Sequence, residues 1–302
     1  MIFQRTIKNV VTVTGVGLHS GFRVKLTFKP AKVDEGIIFV RTDMPYNPHV
    51  RADPFLVNDT RLSSTLVNAN KVRVGTIEHV MSALACFGID NLIVEVSAPE
   101  MPIMDGSSNS FLYLLSQAEV VEQNAKKKYL RVKKYLEVVE GDKYVKLSPY
   151  DGYKIKLGIK FNHPLFTEEN SSLEIDFSNQ SYVDEISRAR TFAFMYEIEN
   201  IHKNGLGRGG NLNNAIVVND DGDTVLNLGG LRFKDEFVRH KILDAIGDLY
   251  ILGHPLIGFF EGYKSGHAIN NKLLRKLLDN ADAWEYVTFD SEDAVPKSFH
   301  HI

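Results

Sequence analysis

Short runs of β-type patterning fill the first third of the chain, and a helical period then takes over. Val10-Val11-Thr12-Val13-Thr14 is β-branched, Arg23-Val24-Lys25-Leu26-Thr27-Phe28 alternates with period two, and Gly36-Ile37-Ile38-Phe39-Val40 is a third short run. These patterns predict strands. From about Ile77 to Phe87 the pattern predicts a helix, with Thr76 placed to cap it, Glu78 in its first turn and Gly88 as its stop. A strand follows at Asn91-Leu92-Ile93-Val94-Glu95-Val96, and Asp105-Gly106-Ser107-Ser108 opens a helix through Leu115. Residues 121–128 are mostly polar, lack a period and read as a linker.

The plan then repeats. Strands are predicted over 129–139, 143–147 and 153–161, a helix over 235–252, a strand over 256–260 and a last helix over 267–278. Each half reads as strands, helix, strand, helix. The expectation is an α+β fold of two similar domains, 1–125 and 126–302, although residue identity between them is faint. A histidine lies near the start of the first long helix of each half, His79 and His240. A pseudo-two-fold axis would bring the two together at the interface. The segments around 163–170 and 196–227 fall outside the shared plan and read as loops or lids that shape a site.

Composition narrows the class. The chain has 302 residues, 44% hydrophobic and 24% charged, with a net charge of −3. That is an ordinary globular mix, with no charge excess calling for nucleic acid or a membrane surface. The single cysteine, Cys86, sits in an apolar helical stretch and reads as a buried, inert thiol, which suits a reducing compartment. The N-terminal residues do not form a signal peptide, and no apolar run reaches the roughly 20 residues that span a bilayer. The expected location is the cytoplasm, without stable membrane insertion. Gly205–Gly210 lacks the strand-before, helix-after setting of a phosphate loop, Asp220–Asp223 fits a hairpin turn, and His300 and His301 read as a disordered tail.

The strongest local chemistry lies in Arg239-His240-Lys241-Ile242-Leu243-Asp244-Ala245-Ile246-Gly247-Asp248. On a helix His240 and Asp244 share a face, and an imidazole and a carboxylate one turn apart can chelate one cation. The core face of the same helix is Val238, Ile242, Ala245 and Leu249. A solvated polar face with a hydrogen bond one turn apart fits the same spacing. A catalytic zinc site takes three protein ligands and an open position, and His79 is the best third ligand. Glu78 beside it is placed either as a general base or as a first-turn acid favoured by the helix dipole. His267 opens a helix after a strand, suiting either a proton donor with Asp248 behind it or a helix cap. Lys264 is either surface charge or a phosphate contact.

These residues fall in ordered motifs. They include Thr14-Gly15-Val16-Gly17-Leu18-His19-Ser20, Thr76-Ile77-Glu78-His79 and Pro102-Ile103-Met104-Asp105-Gly106-Ser107. Ser187-Arg188-Ala189-Arg190-Thr191-Phe192, the segment Phe237–Leu249 and Lys264-Ser265-Gly266-His267-Ala268 complete them. Over essentially its whole length the chain resembles the UDP-3-O-acyl-N-acetylglucosamine deacetylases of lipid A biosynthesis in Gram-negative bacteria.

The resemblance implies two similar domains, each a β-sheet with two helices, the helices sandwiched between the sheets, and an insertion in each domain. It implies zinc (Zn2+) bound by His79, His240 and Asp244, with Glu78 as general base, His267 as general acid and Asp248 orienting it. Thr191 would meet the substrate carbonyl oxygen, and His19, Lys241 and Lys264 the diphosphate and sugar. Phe161 would stack on uracil. Phe192, Phe194, Ile198 and Leu212 would contact substrate, the last two lining an acyl passage in the insertion around 195–227. The expected reaction is hydrolysis of the 2-acetamido group of UDP-3-O-acyl-N-acetylglucosamine by a monomer. The alternative is a non-catalytic nucleotide-sugar-binding protein on the same scaffold. Ser63 stands where related enzymes can carry cysteine, and the polar Leu206–Asn214 loop departs from an apolar passage.

Overall fold

The computed structural model describes residues 1–300, and His301 lies outside the described residues. The first half runs β1 (Phe3–Ile7), β2 (Val11–Val16), β3 (Arg23–Pro30), β4 (Ile37–Arg41) and β5 (His49–Arg51). It continues through β6 (Val57–Asp59), β7 (Thr65–Val67), β8 (Arg73–Val74), helix α1 (Glu78–Phe87), β9 (Leu92–Val96), helix α2 (Asn109–Ala118) and β10 (Val120–Lys126). The second half runs β11 (Tyr129–Val132), β12 (Leu136–Glu140), β13 (Lys143–Ser148), β14 (Tyr153–Gly158), β15 (Ser172–Asp176) and a single turn α3 (Asn179–Ser181). Then come β16 (Phe192–Phe194), α4 (Met195–Lys203), β17 (Ile216–Val218), α5 (Glu236–Tyr250), β18 (Leu256–Tyr263), α6 (His267–Asp279) and β19 (Trp284–Val287).

Strands β2-β3-β9-β4-β5 form one sheet in that order. The second sheet runs β12-β13-β18-β11-β19, with β14 beside β18 and β15 beyond it. In each sheet the strand that follows the long central helix, β9 or β18, is interior and has both a parallel and an antiparallel neighbour. The inward faces follow from period two: in β14, Tyr153, Ile155 and Leu157 are buried while Lys156 is exposed. Helix α2 packs against β2, α5 against β14, and α6 against β12 and β13, while α1 packs on α5. The helices therefore lie between the two sheets. Each half carries an insertion, the three-stranded sheet β6-β7-β8 in the first and the parallel pair β16-β17 with α4 in the second.

Helix α5 is buried on nearly every side. Val238, Ile242, Ala245 and Leu249 form its core face, but His240, Asp244 and Asp248 are buried as well. A solvated polar face is thus excluded, and these groups need partners inside the protein.

Three sequence expectations are corrected. Residues 121–128 are not a linker: β10 pairs antiparallel with β1, and Lys127 is fully buried against Asp90 and the Gly88 carbonyl. Thr76 does not cap α1. Its φ is +55°, Ile77 precedes the helix without a side-chain cap, and the Thr76 hydroxyl donates to Glu100 instead. The long strand over 129–139 is broken between Val132 and Leu136, so that β11 and β12 join different neighbours. Gly88 does end α1 as expected, in the left-handed region at φ +59° that glycine enters without a Cβ penalty.

Candidate metal centre and active site

The site forms where the first turn of α1 meets the middle of α5. A Cβ at Gly247 would lie 1.9 Å from the Glu78 carbonyl oxygen, so only glycine lets the helices approach this closely. The approach sets the His79 and His240 rings edge to face, with centroids 5.0 Å apart. Asp244 Oδ1 lies 3.4 Å from His79 Nε2 and 3.3 Å from His240 Nε2. One ligand atom from each of the three residues falls within 4.8 Å of the others, and all three side chains are buried.

The chemistry of this donor set fits a cation. His240 Nδ1 lies 3.0 Å from the Ala189 carbonyl oxygen, which can only accept. Nδ1 therefore carries the proton, and Nε2 turns its lone pair toward Asp244. Burial pushes His240 down to about 3, so its imidazole is neutral. Burial opposes charge on Asp244 too, but the carboxyl is held well below its usual range, with the Lys241 ammonium beside Oδ2 favouring its charged form. Asp244 Oδ1 is buried without a hydrogen-bond partner among the described residues. Acceptors turned on one another at this range are accommodated by a positive ion between them.

A second cluster lies alongside. Glu78 Oε1 is 3.8 Å from His267 Nε2, and Asp248 Oδ2 is 2.9 Å from His267 Nδ1. Burial raises the Glu78 carboxyl above its ordinary value. Burial works against charge on His267, but Asp248 and Glu78 outweigh it and raise the imidazolium to about 9. A carboxylate with raised proton affinity thus faces a histidine that keeps its proton, the pairing that acid–base chemistry requires. Two members of the cluster escaped the sequence reading. Ser64 Oγ donates to Asp248 Oδ1 at 2.6 Å while its N–H donates to Glu78 Oε2 at 3.0 Å, and Asn270 Nδ2 donates to Asp248 Oδ2 at 2.9 Å.

Both clusters open on one cavity of about 510 Å³, lined by Glu78, His79, His240, Asp244 and His267 together with His19, Thr191, Phe192, Lys241 and Lys264. Its apolar side includes Ile198, Ile201, Leu212 and Val217, three of them on α4 or β17. Lys241 Nζ donates to Asp244 Oδ2 at 3.1 Å, and Lys264 pairs with Asp142. Burial lowers His19, against the opposing pull of Glu100 and the Leu62 backbone. Phe161 lines a neighbouring cavity of about 460 Å³ with Lys160, Phe166 and Tyr263. Phe194 reaches neither: it is buried and packs on Phe161, Phe166 and Tyr196, supporting the wall from behind. Ser63 is buried and faces a smaller side cavity with His19.

A further missed feature holds the wall in place. Glu236 is fully buried and accepts from Arg190 N, Nε and Nη2 and from Arg232 N. This clamp fixes the segment that gives its Ala189 carbonyl to His240 and its Thr191 side chain to the cavity. The motif around Thr191 contained Arg190, but its buried partner 46 residues away had no signal in the sequence.

The chain matches the family described as UDP-3-O-acyl N-acetylglycosamine deacetylase over residues 4–279. It is 61% identical over 302 residues to the UDP-3-O-acyl-N-acetylglucosamine deacetylase of Chromobacterium violaceum, covering 100% of this chain and 99% of the relative. It is 57% identical to the enzyme of the same name from Neisseria meningitidis serogroup A, covering 100% and 98%. For that of Haemophilus influenzae the figures are 52% identity, 99% and 97%.

Proposed function

The chain belongs to the UDP-3-O-acyl N-acetylglycosamine deacetylase family, and on that premise we propose that it hydrolyses the 2-acetamido group of UDP-3-O-acyl-N-acetylglucosamine in lipid A biosynthesis. The products are UDP-3-O-acyl-glucosamine and acetate. The observation that carries the reading is the convergence of His79, His240 and Asp244 beside the Glu78–His267 pair on one cavity wall. Two imidazoles and a carboxylate suit zinc, so we assign zinc to this centre. When bound there, the metal supplies Lewis acidity toward the amide carbonyl and lowers the pKa of water.

The protein's own groups do the rest. Glu78 takes a proton from the attacking water, a step that its burial-raised proton affinity favours. Thr191 donates a hydrogen bond to the carbonyl oxygen as negative charge gathers on it. His267 gives its Nε2 proton to the departing amine as the C–N bond breaks, while Asp248 holds the ring through Nδ1. Lys241, Lys264 and His19 meet the diphosphate and sugar, and Phe161 stacks on the uracil. The acyl chain follows the side of the cavity bearing Ile198 and Leu212, and Phe192 contacts the substrate from the wall beside His240.

A binding-only role would be favoured by loss of the base or of a ligand, and the chain retains Glu78, His79, His240 and Asp244. We read the protein as a monomer of the cytoplasm, a location in keeping with its one buried cysteine and with the lack, among the described residues, of a helix long and apolar enough to cross a membrane.

Glu78→Ala tests the assignment. It should keep its metal, measured by elemental analysis, while acetate release falls by about 100-fold or more. A wild-type rate with metal bound would remove Glu78 as the base.

A further inference from the structure

The three-stranded insertion of the first half is small, its Leu66 and Val74 are buried in the core, and β7 begins directly beside the active site. Ser64, the residue before it, is 1% exposed and makes three hydrogen bonds. Its N–H donates to Glu78 Oε2 at 3.0 Å, its hydroxyl to Asp248 Oδ1 at 2.6 Å, and its carbonyl accepts from Ile77 N at 3.2 Å. Glu78 opens α1, Asp248 lies on α5, and His267 opens α6. Ser64 is thus bonded to the carboxylates that serve the two ends of the proton path, on two different helices.

We propose that Ser64 is a positioning residue for the deacetylation, its N–H and hydroxyl tying the Glu78 and Asp248 carboxylates into one frame that sets the spacing of base and acid. The physical need is specific. Glu78 Oε2 is held by the Ser64 N–H, which leaves Oε1 facing His267 and the cavity. Asp248 Oδ1 accepts from the Ser64 hydroxyl and Oδ2 from Asn270, and between these two ties the carboxylate faces His267 Nδ1 with both oxygens, at 3.1 and 2.9 Å. Without the hydroxyl, the Asp248 carboxylate loses its one tie to the first half and keeps only Asn270 and the His267 ring itself, so its angle to the ring is less sharply set. Sub-ångström errors in such geometry are costly in rate and nearly silent in binding. On this account the insertion does more than line the cavity with Thr60 and Leu62: it also delivers Ser64 to the carboxylates.

This inference rests on the roles given above to Glu78 and His267, and the test separates the two. Ser64→Ala keeps the N–H bond and removes only the hydroxyl. Its kcat should fall about tenfold, the loss expected for a hydrogen bond to a charged group, with KM and metal content unchanged. In an Asp248→Ala background the same substitution should have almost no further effect, because the group it steers is gone. A Ser64→Ala kcat within twofold of wild type overturns the proposal alone, as does a tenfold loss that persists in full in the Asp248→Ala background. A Glu78→Ala enzyme that turns over like wild type overturns both the base assignment and the frame built on it.

Discussion

At the residue scale the site is an arrangement of proton affinities. His240 is held neutral by burial, the state that the proposed metal ligand needs, while His267 stays charged because Asp248 and Glu78 face it. The sign of the resulting pH dependence follows. In the proposed role His267 acts in its charged form, present below about 9, so activity should be lost as pH rises through that value. Asp248→Asn keeps the shape and removes the charge, so the alkaline limb of kcat should move to lower pH by about one unit. A limb that stays in place would separate Asp248 from the acid. His240 and Asp244 were legible in the sequence because a helix converts a spacing of four into a shared face. His79 was legible only through the matched order of the two halves and the family resemblance. Ser64, Asn270 and the Arg190–Glu236 clamp were not legible, because their partners lie far along the chain and no period relates them.

At the scale of elements, the contact of α1 with α5 is what assembles the centre. Glycine inside a helix costs about 1 kcal/mol relative to alanine, and Gly247 stands within α5, ahead of its last residue Tyr250. Its justification is the Glu78 carbonyl, 1.9 Å from where a Cβ would sit. Gly247→Ala should therefore reverse the usual propensity gain: stability falls by about 1–3 kcal/mol in denaturant unfolding, and turnover falls with it as Glu78 and His79 are pushed away. A more stable and fully active variant would contradict the packing. The same scale shows why some elements were misread. Residues 120–126 form a strand whose side chains alternate between half-buried and exposed, with polar residues on both faces, so hydrophobic period had nothing to report. Thr76 has the right chemistry for a cap, but its backbone is committed to a left-handed turn that sends its hydroxyl to Glu100.

At the scale of the whole molecule, the halves are two versions of one plan, and the centre is built across them. The first contributes Glu78, His79 and Ser64; the second contributes His240, Asp244, Asp248 and His267. The insertions contribute differently: the one bearing β6–β8 places Ser64 against Glu78 and Asp248, and β16, β17 and α4 form much of the apolar wall. The element order, the two-sheet layering and the place of the interface were readable from the sequence and its resemblance. The β1–β10 pairing was not, since it joins the beginning of the chain to a segment without hydrophobic pattern.

The central claim is that His79, His240 and Asp244 hold one metal ion on which turnover depends. The direct measurement is acetate release from UDP-3-O-acyl-N-acetylglucosamine by protein stripped with a chelator, then titrated with zinc, with bound metal determined on the same samples. The account predicts no turnover in the stripped protein and recovery in proportion to bound zinc, complete at one equivalent. Full turnover by protein shown to be free of metal would contradict it.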